Sequence, residues 1–457
     1  MSSRLFTSRA EALRPEAGGK AALLVPEIDR LWRWTPRGAL ALADQGLISG
    51  SNFILGVSLA RYAGPEPYGA YMIMFAVFLL VANLHQAILL EPTSVLAFSL
   101  FPDRSDRYLR AVVRMHLIFS AVFLALAGLV WMLAPLLRIR GPLANALAGL
   151  IIATPCVLLF WLARCFAYLE FAPGRAARGS LAYCAAVAGG LFISYLRGSV
   201  TPLSTFLWTA LAALIASVLL LYRYRASLPA AHNEPGVGEV WIRHWRFGRW
   251  GLSTVGLSWA QTNSISVISG SLLGLGATGG LNALVGLLLP MFQVLSSATR
   301  VVLPRIAQIY TNQGVAETRR PVLRVAAILI LLTSTYWLAL TALHTPLLHW
   351  VYGERFAPYG RFVPIISLHL LACAVITACD IAFNSIQAPQ ASFRVKLTMV
   401  AIMLPLNTLL TWRFGLPGAV VAVPALSAAT AFCMAGKLRQ VWGQPAAAIS
   451  EGVPSHA

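Results

Sequence analysis

Long apolar stretches, separated by short polar connections, run through most of the chain. Twelve of them approach the roughly 20 residues that an α-helix needs to cross a bilayer. They fall near 38–60, 69–90, 111–134, 143–168, 180–196, 202–222, 251–273, 278–299, 322–343, 357–380, 393–411 and 417–436. The pattern predicts an all-α polytopic membrane protein with about twelve transmembrane helices in two six-helix lobes. The first, seventh and tenth stretches are the least apolar. Residues 1–37 hold no such run and mix four acidic with seven basic residues, so they read as a cytoplasmic segment and not as a cleaved signal peptide. Within them, residues 31–34 (Leu31, Trp32, Arg33, Trp34) have the composition of an interfacial anchor.

Composition narrows the class. Of 457 residues, 58% are hydrophobic and 11% charged, where soluble chains carry about 25% charged side chains. A soluble globule, a disordered chain and a disulfide-stapled scaffold are excluded. The net charge of +19 raises nucleic acid as a partner. The basic residues nevertheless sit between apolar runs, and with alternating connections 28 of the 35 Lys and Arg fall on one side. That bias marks the cytoplasmic face, puts both termini there and removes nucleic acid from the reading. The longest internal connection, 223–250, is basic and central. It divides an N-lobe (38–222) from a C-lobe (251–436), with a cytoplasmic tail at 437–457. An offset of 210 residues pairs Gly38, Gly46, Gly64 and Gly69 with Gly248, Gly256, Gly274 and Gly279, which predicts a parallel internal repeat. The six cysteines form no CxxC pair and read as small buried hydrophobes.

Polar residues inside the apolar runs are the candidate machinery. Asp44, Ile48, Asn52 and Gly56 recur every four residues in the first stretch. A lipid-facing surface would leave such polar groups without partners, so the stripe faces protein or a water-filled cavity. Asp44 reads as a terminal carboxylate reaching water, with ion coupling as the alternative. Asn52 is a candidate for the cavity or for helix packing. In the second stretch Asn83 and Gln86 share a face, His85 points elsewhere, and Pro92 is expected to stop the helix at Glu91. Glu91 is a solvated helix-end acid or a partner for a basic group such as Arg114. Gln261 in the seventh stretch and Gln293 in the eighth extend the polar set into the second half, and Asp380 is the remaining candidate for proton or sodium coupling. Arg114, Arg164 and Arg300 sit near the cytoplasmic ends of their stretches. They are candidates for gripping phosphate through paired donors, with lipid anchoring as the alternative. No acid–base or metal-ligand cluster is apparent, so no catalytic residue, metal or cofactor is expected and the chain reads as a non-enzyme.

The segment from Ala43 through Asp44, Gly46, Gly50, Asn52 and Phe53 to Arg61, followed by Gly64, Pro65, Glu66, Pro67, Tyr68 and Gly69, carries a family resemblance. It resembles the polysaccharide-transporter branch of the multidrug, oligosaccharidyl-lipid and polysaccharide exporter superfamily, which includes O-antigen and exopolysaccharide flippases. Phe414, Gly415, Leu416, Pro417, Gly418 and Ala419 at the last stretch are also similar. The resemblance implies two six-helix lobes around a central cavity, in the cytoplasmic membrane of a bacterium. It further implies a polyprenyl-diphosphate-linked glycan as substrate, membrane lipids as neighbours and glycan polymerase or assembly proteins as partners. Arg114, Arg164 and Arg300 would receive the diphosphate, while Asn52, Asn83, Gln86, Gln261 and Gln293 contact hydroxyls or water. A cation-coupled multidrug or small-molecule exporter is the alternative, and a membrane glycan polymerase or ligase a more distant one.

Overall fold

The computed structural model describes residues 25–99, 105–222 and 236–443, all of whose regular structure is helical. In the first half α1 is Val25–Ala63 and α2 is Pro65–His85. A π turn, Gln86–Leu90, leads on to α3, Glu91–Ser99. Then come α4 (Ser105–Met132), α5 (Gly141–Leu169), α6 (Pro173–Leu196) and α7 (Pro202–Leu221). The second half holds α8 (Val237–Leu273), α9 (Leu275–Gly286), α10 (Leu289–Gln313), α11 (Val315–Ala342) and α12 (His344–Tyr352). A 3-10 segment, Glu354–Phe362, precedes α13 (Val363–Ser367), α14 (His369–Ser385) and α15 (Pro389–Gly443). Residues 223–235 of the expected central linker and the tail from 444 lie outside the described residues, as do residues 1–24. The last part of the linker, from Val237, is the beginning of α8.

Among the described residues, eight helical stretches are long and apolar enough to cross a membrane, and the pair α9–α10, bent by 48°, makes a ninth. The protein is therefore a multi-pass integral membrane protein. Helices α1 and α8, of 39 and 37 residues, are outside that set because polar side chains interrupt them. Helix α15 is in it once, yet its backbone leaves the helical region at Gly415 (φ 65°, ψ −144°). A Cβ on Gly418 would lie 2.1 Å from the Leu410 carbonyl oxygen. Eight residues of straight helix rise about 12 Å, so the chain must reverse at Gly415. Helix α15 is thus a hairpin of two arms, 389–414 and 416–443.

Pro92 does not end the second helix, contrary to the sequence expectation. Glu91 keeps helical dihedrals (φ −64°, ψ −49°) and its N–H reaches back to the Gln86 carbonyl. The π turn supplies the extra residue that lets the proline ring fit without the clash it would meet in a regular turn. With no N–H at position 92, neither the Ala87 carbonyl (π register) nor the Ile88 carbonyl (α register) is served from there. Helix α8 covers both. His244 Nδ1 lies 3.0 Å from the Ile88 carbonyl oxygen, and Gly248 approaches so near that a Cβ would sit 2.5 Å from the Ala87 oxygen. Tyr108 Oη is 2.8 Å from His244 Nε2. Since Nδ1 must donate to a carbonyl, Nε2 is the acceptor for the Tyr108 hydroxyl.

Within the first half α5 packs on α7 and α2, and α1 and α7 on α6. Within the second, α14 packs on α11, α10 and α15, and α8 on α15. The seam between halves is α2 against α8 and α9. Trp259 Nε1 donates to the Ala76 carbonyl at 2.6 Å along it. Close approach requires glycine: a Cβ on Gly69 would lie 1.9 Å from the Leu275 oxygen, and one on Gly279 1.9 Å from the Pro65 oxygen. Gly69 and Gly279 are equated by the 210-residue offset, and so are Pro65 and Leu275, so the contact is reciprocal. No comparable seam joins α1 to α10 among the described residues.

Candidate functional site

A cavity of about 710 Å³ lies between the halves, lined from α1, α2, α8, α9, α10, α12, α14 and both arms of α15. Most of its wall is apolar or aromatic, including Phe53, Tyr71, Phe75 and Phe292. Most polar groups are carboxamides and hydroxyls, among them Asn52, Gln261, Asn263, Asn407, Ser427 and Thr430, joined by the His369 imidazole and the Cys373 thiol. No carboxylate is among the described lining residues, and Lys396 is the one Lys or Arg.

One end of the cavity is shut. Tyr68 and Tyr352 line it there. Their rings stand 6.1 Å apart, and Phe356, fully buried, lies 6.1 Å from Tyr68 and 5.6 Å from Tyr352. Gly64, at φ 95°, starts α2 so that Tyr68 enters this cluster, as Gly274, at φ 88°, starts α9. Both positions are left-handed in φ, where a side chain would be strained. Beyond the rings, Arg61 Nη1 donates to the Trp350 carbonyl at 2.7 Å.

Two of the expected site residues reach this cavity, Asn52 and Gln261. Asn52 Oδ1 accepts from the Tyr183 hydroxyl at 3.3 Å. The polar stripe of the first stretch does face inward: Ile48 and Gly56 are buried with it. Asp44, however, is fully buried rather than reaching water. It accepts from Arg164 Nη2 at 2.5 Å, Tyr168 Oη at 2.6 Å and Ser180 Oγ at 2.5 Å. The helix begins at Val25, so Asp44 lies about five turns inside α1 and not at its end. Arg164 is thus held by Asp44. Arg114 and Arg300 are exposed on α4 and α10, and none of the three arginines lines the cavity. Gln86 donates to Glu91 Oε1 at 3.1 Å, and Asn83, Gln86 and Gln293 lie away from the cavity lining.

Asp380 is half-buried on α14. Lys396 Nζ lies 2.8 and 2.7 Å from its two oxygens, and Ser392 Oγ donates to Oδ1 at 2.7 Å. In the sequence Lys396 is one of the 28 Lys and Arg assigned to the cytoplasmic side. The signal that could have found it is an acid and a base 16 residues apart across the short turn before Pro389. His85, expected to be isolated, has its Nε2 3.1 Å from His116 Nδ1, and His116 Nε2 is 3.4 Å from Ser120 Oγ. All six cysteines are free, with Cys379 buried and the others partly exposed. No group of three or more His, Cys, Asp or Glu able to hold a metal occurs among the described residues.

No protein-family model matches the chain. No curated protein matches it significantly. Solved structures do. An inward-facing multidrug resistance MATE family transporter of the MOP superfamily is 14% identical, with a TM-score of 0.67 over 89% of this chain and 96% of that one. The lipid II flippase MurJ in an inward closed conformation is also 14% identical, with a TM-score of 0.67 over 90% and 89%. An outward-facing MATE transporter scores 0.62 at 12% identity, over 91% and 96%. At these identities the likeness establishes the fold: this chain has the architecture of MOP-superfamily transporters.

Proposed function

We propose that the chain is an alternating-access exporter, not an enzyme, and that its cargo is an anionic amphiphile of the polyprenyl-diphosphate-linked glycan class. The observation that carries the reading is the central cavity, closed at one end, with a lysine and no carboxylate in its described lining. Lys396 is paired with Asp380, which lies outside the lining, so the described wall offers an ammonium and no carboxylate of its own, an arrangement that favours an anion over a cation. Carboxamides and hydroxyls suit glycan hydroxyls. The missing seam between α1 and α10 gives an isoprenoid tail a sideways path into lipid.

Twelve crossings follow if α1, α8, each arm of α15 and the bent α9–α10 pair each count. The lobes are then 38–222 and 251–436, with 223–250 between them. The reciprocal Gly69–Gly279 contact supports a two-fold axis along the membrane normal. The 28-to-7 charge bias supports cytoplasmic termini and an Arg61 end on the outer side. In a bacterium this is the cytoplasmic membrane, and glycan polymerase or assembly proteins would act on the product. Arg114 and Arg300 are then entry groups near the cytoplasmic surface, not ligands in the cavity.

A second reading, a cation-coupled exporter of small molecules, draws on the aromatic wall, on a volume within the roughly 300–1,000 Å³ of small-molecule sites, and on the MATE structures. Proteoliposomes discriminate. Movement of a fluorescent polyprenyl-diphosphate glycan, without efflux of a small aromatic cation under a proton or sodium gradient, is expected. Cation efflux with no glycolipid movement would select the second reading.

A further inference from the structure

Lys396 has a position that the transport reading alone does not explain. It lies in the cavity wall and is also the ionic partner of Asp380, which is not in that wall. The pair joins the end of α14 to the first arm of α15. Between them Gln387 has φ 58°, an uncommon conformation for a residue with a side chain. Asp380 receives Lys396 and Ser392, both from the start of α15, so one carboxylate staples this tight hairpin. The ion pair is only partly enclosed, with about a quarter of each side chain exposed.

The buried ion pair of the first half, which is not the repeat counterpart of Asp380, is built differently. Asp44 is fully buried and held by three donors from α5 and α6. Arg164 has no place in the cavity lining. A ligand entering the cavity therefore meets the Asp380 pair and not the Asp44 pair. An ammonium has three donors, and two carboxylate oxygens take two of them. A phosphate arriving from the cavity has a donor to bind before any bond is broken. With its greater charge it then competes with Asp380 for the others.

We infer that Lys396 and Asp380 form an anion-exchange staple. A phosphate or diphosphate group in the cavity takes Lys396 from Asp380, and the α14–α15 hairpin, left with the Ser392 bond alone, loosens. This rests on the reading that the cargo is an anionic amphiphile, and it names the residue that recognises the anion and the element that responds. No covalent bond changes.

The test uses the full chain in detergent or nanodiscs with farnesyl diphosphate, farnesol and inorganic pyrophosphate as probes. Wild type is expected to prefer farnesyl diphosphate to farnesol, and Lys396→Gln to reduce that preference at least about tenfold, the scale of a charge-assisted hydrogen bond. Lys396→Arg should retain most of it. Asp380→Asn should tighten binding, because the competing carboxylate is gone. Pyrophosphate should also depend on Lys396, but bind more weakly than farnesyl diphosphate if the ligand is a lipid-borne headgroup; equal affinity would assign the site to a free anion and overturn the lipid-headgroup assignment. Hydrogen exchange at residues 386–392 should rise when farnesyl diphosphate binds wild type, and be raised already in Asp380→Asn. The double variant Asp380→Asn/Lys396→Gln has no orphaned charge and guards against misfolding; it should bind as Lys396→Gln does. An unchanged preference in Lys396→Gln, or unchanged exchange in the hairpin on binding, overturns the inference. Lys396-dependent binding without any movement of the lipid-linked diphosphate would instead retract the transport reading and keep the site.

Discussion

Asp44 is the clearest case of one side chain whose surroundings decide its role. A carboxylate with no exposed surface and three donors is bound to its neighbours in one geometry, and a coupling cation would have to displace Arg164 to reach it. Removing one member of a buried ion pair typically costs about 3–5 kcal/mol, because the survivor keeps its charge. Arg164→Gln should therefore lower thermal stability in detergent strongly, and Asp44→Asn in the same chain should restore part of it. Equal melting temperatures for the single and double variants would contradict a charge-driven interaction. The stripe that carries Asp44 was legible from four-residue spacing. Its partners were not, since Arg164 and Ser180 lie 120 and 136 residues away. Lys396 was hidden for another reason: a positive charge near a helix end is what topology alone predicts, and only the fold puts it against the cavity.

At the scale of an element, the π turn and Pro92 make a docking surface out of a backbone defect. A proline withholds one N–H, and His244, on a helix more than 150 residues later, supplies another. His244→Ala should weaken the attachment of α8 by about 1 kcal/mol or more, the usual effect of a lost buried hydrogen bond. Pro92→Ala returns an N–H to the ladder and should make the second loss smaller. A double-mutant cycle on thermal stability measures this. Strict additivity would mean that the histidine does not serve the carbonyls exposed by the proline. The sequence showed the proline and suggested a stop, because the residue before proline usually avoids helical dihedrals. The compensation lies in tertiary structure, where local rules do not reach. By contrast, the start of the last helix at Gly415 and Pro417 was legible, since glycine and proline act there through their own backbone limits.

On the scale of the molecule, the glycine pairs connect sequence to shape most directly. Gly69 and Gly279 were flagged by a 210-residue repeat and prove to touch each other's helices across the seam. Gly69→Leu and Gly279→Leu should each wedge the Arg61 end apart and shift the protein away from the closed state described here. Leucine at Gly256, where a Cβ meets nothing within 4 Å, is the control. Accessibility of an introduced cysteine at Tyr68 to a polar thiol reagent should rise in the two wedge variants and stay at its starting level in the control.

Alternating access requires that the closed end open while cargo is inside. Tyr62 and Trp350 are half or more exposed at that end, beside the bond from Arg61 to the Trp350 carbonyl. Spin labels at these two positions, in a chain without its native cysteines and reconstituted in nanodiscs, report the gap by dipolar spectroscopy. A short distance is expected in the free protein, with a second, longer population when farnesyl diphosphate is added. A single distance that ignores ligand and is unaltered by Gly69→Leu would contradict alternating access.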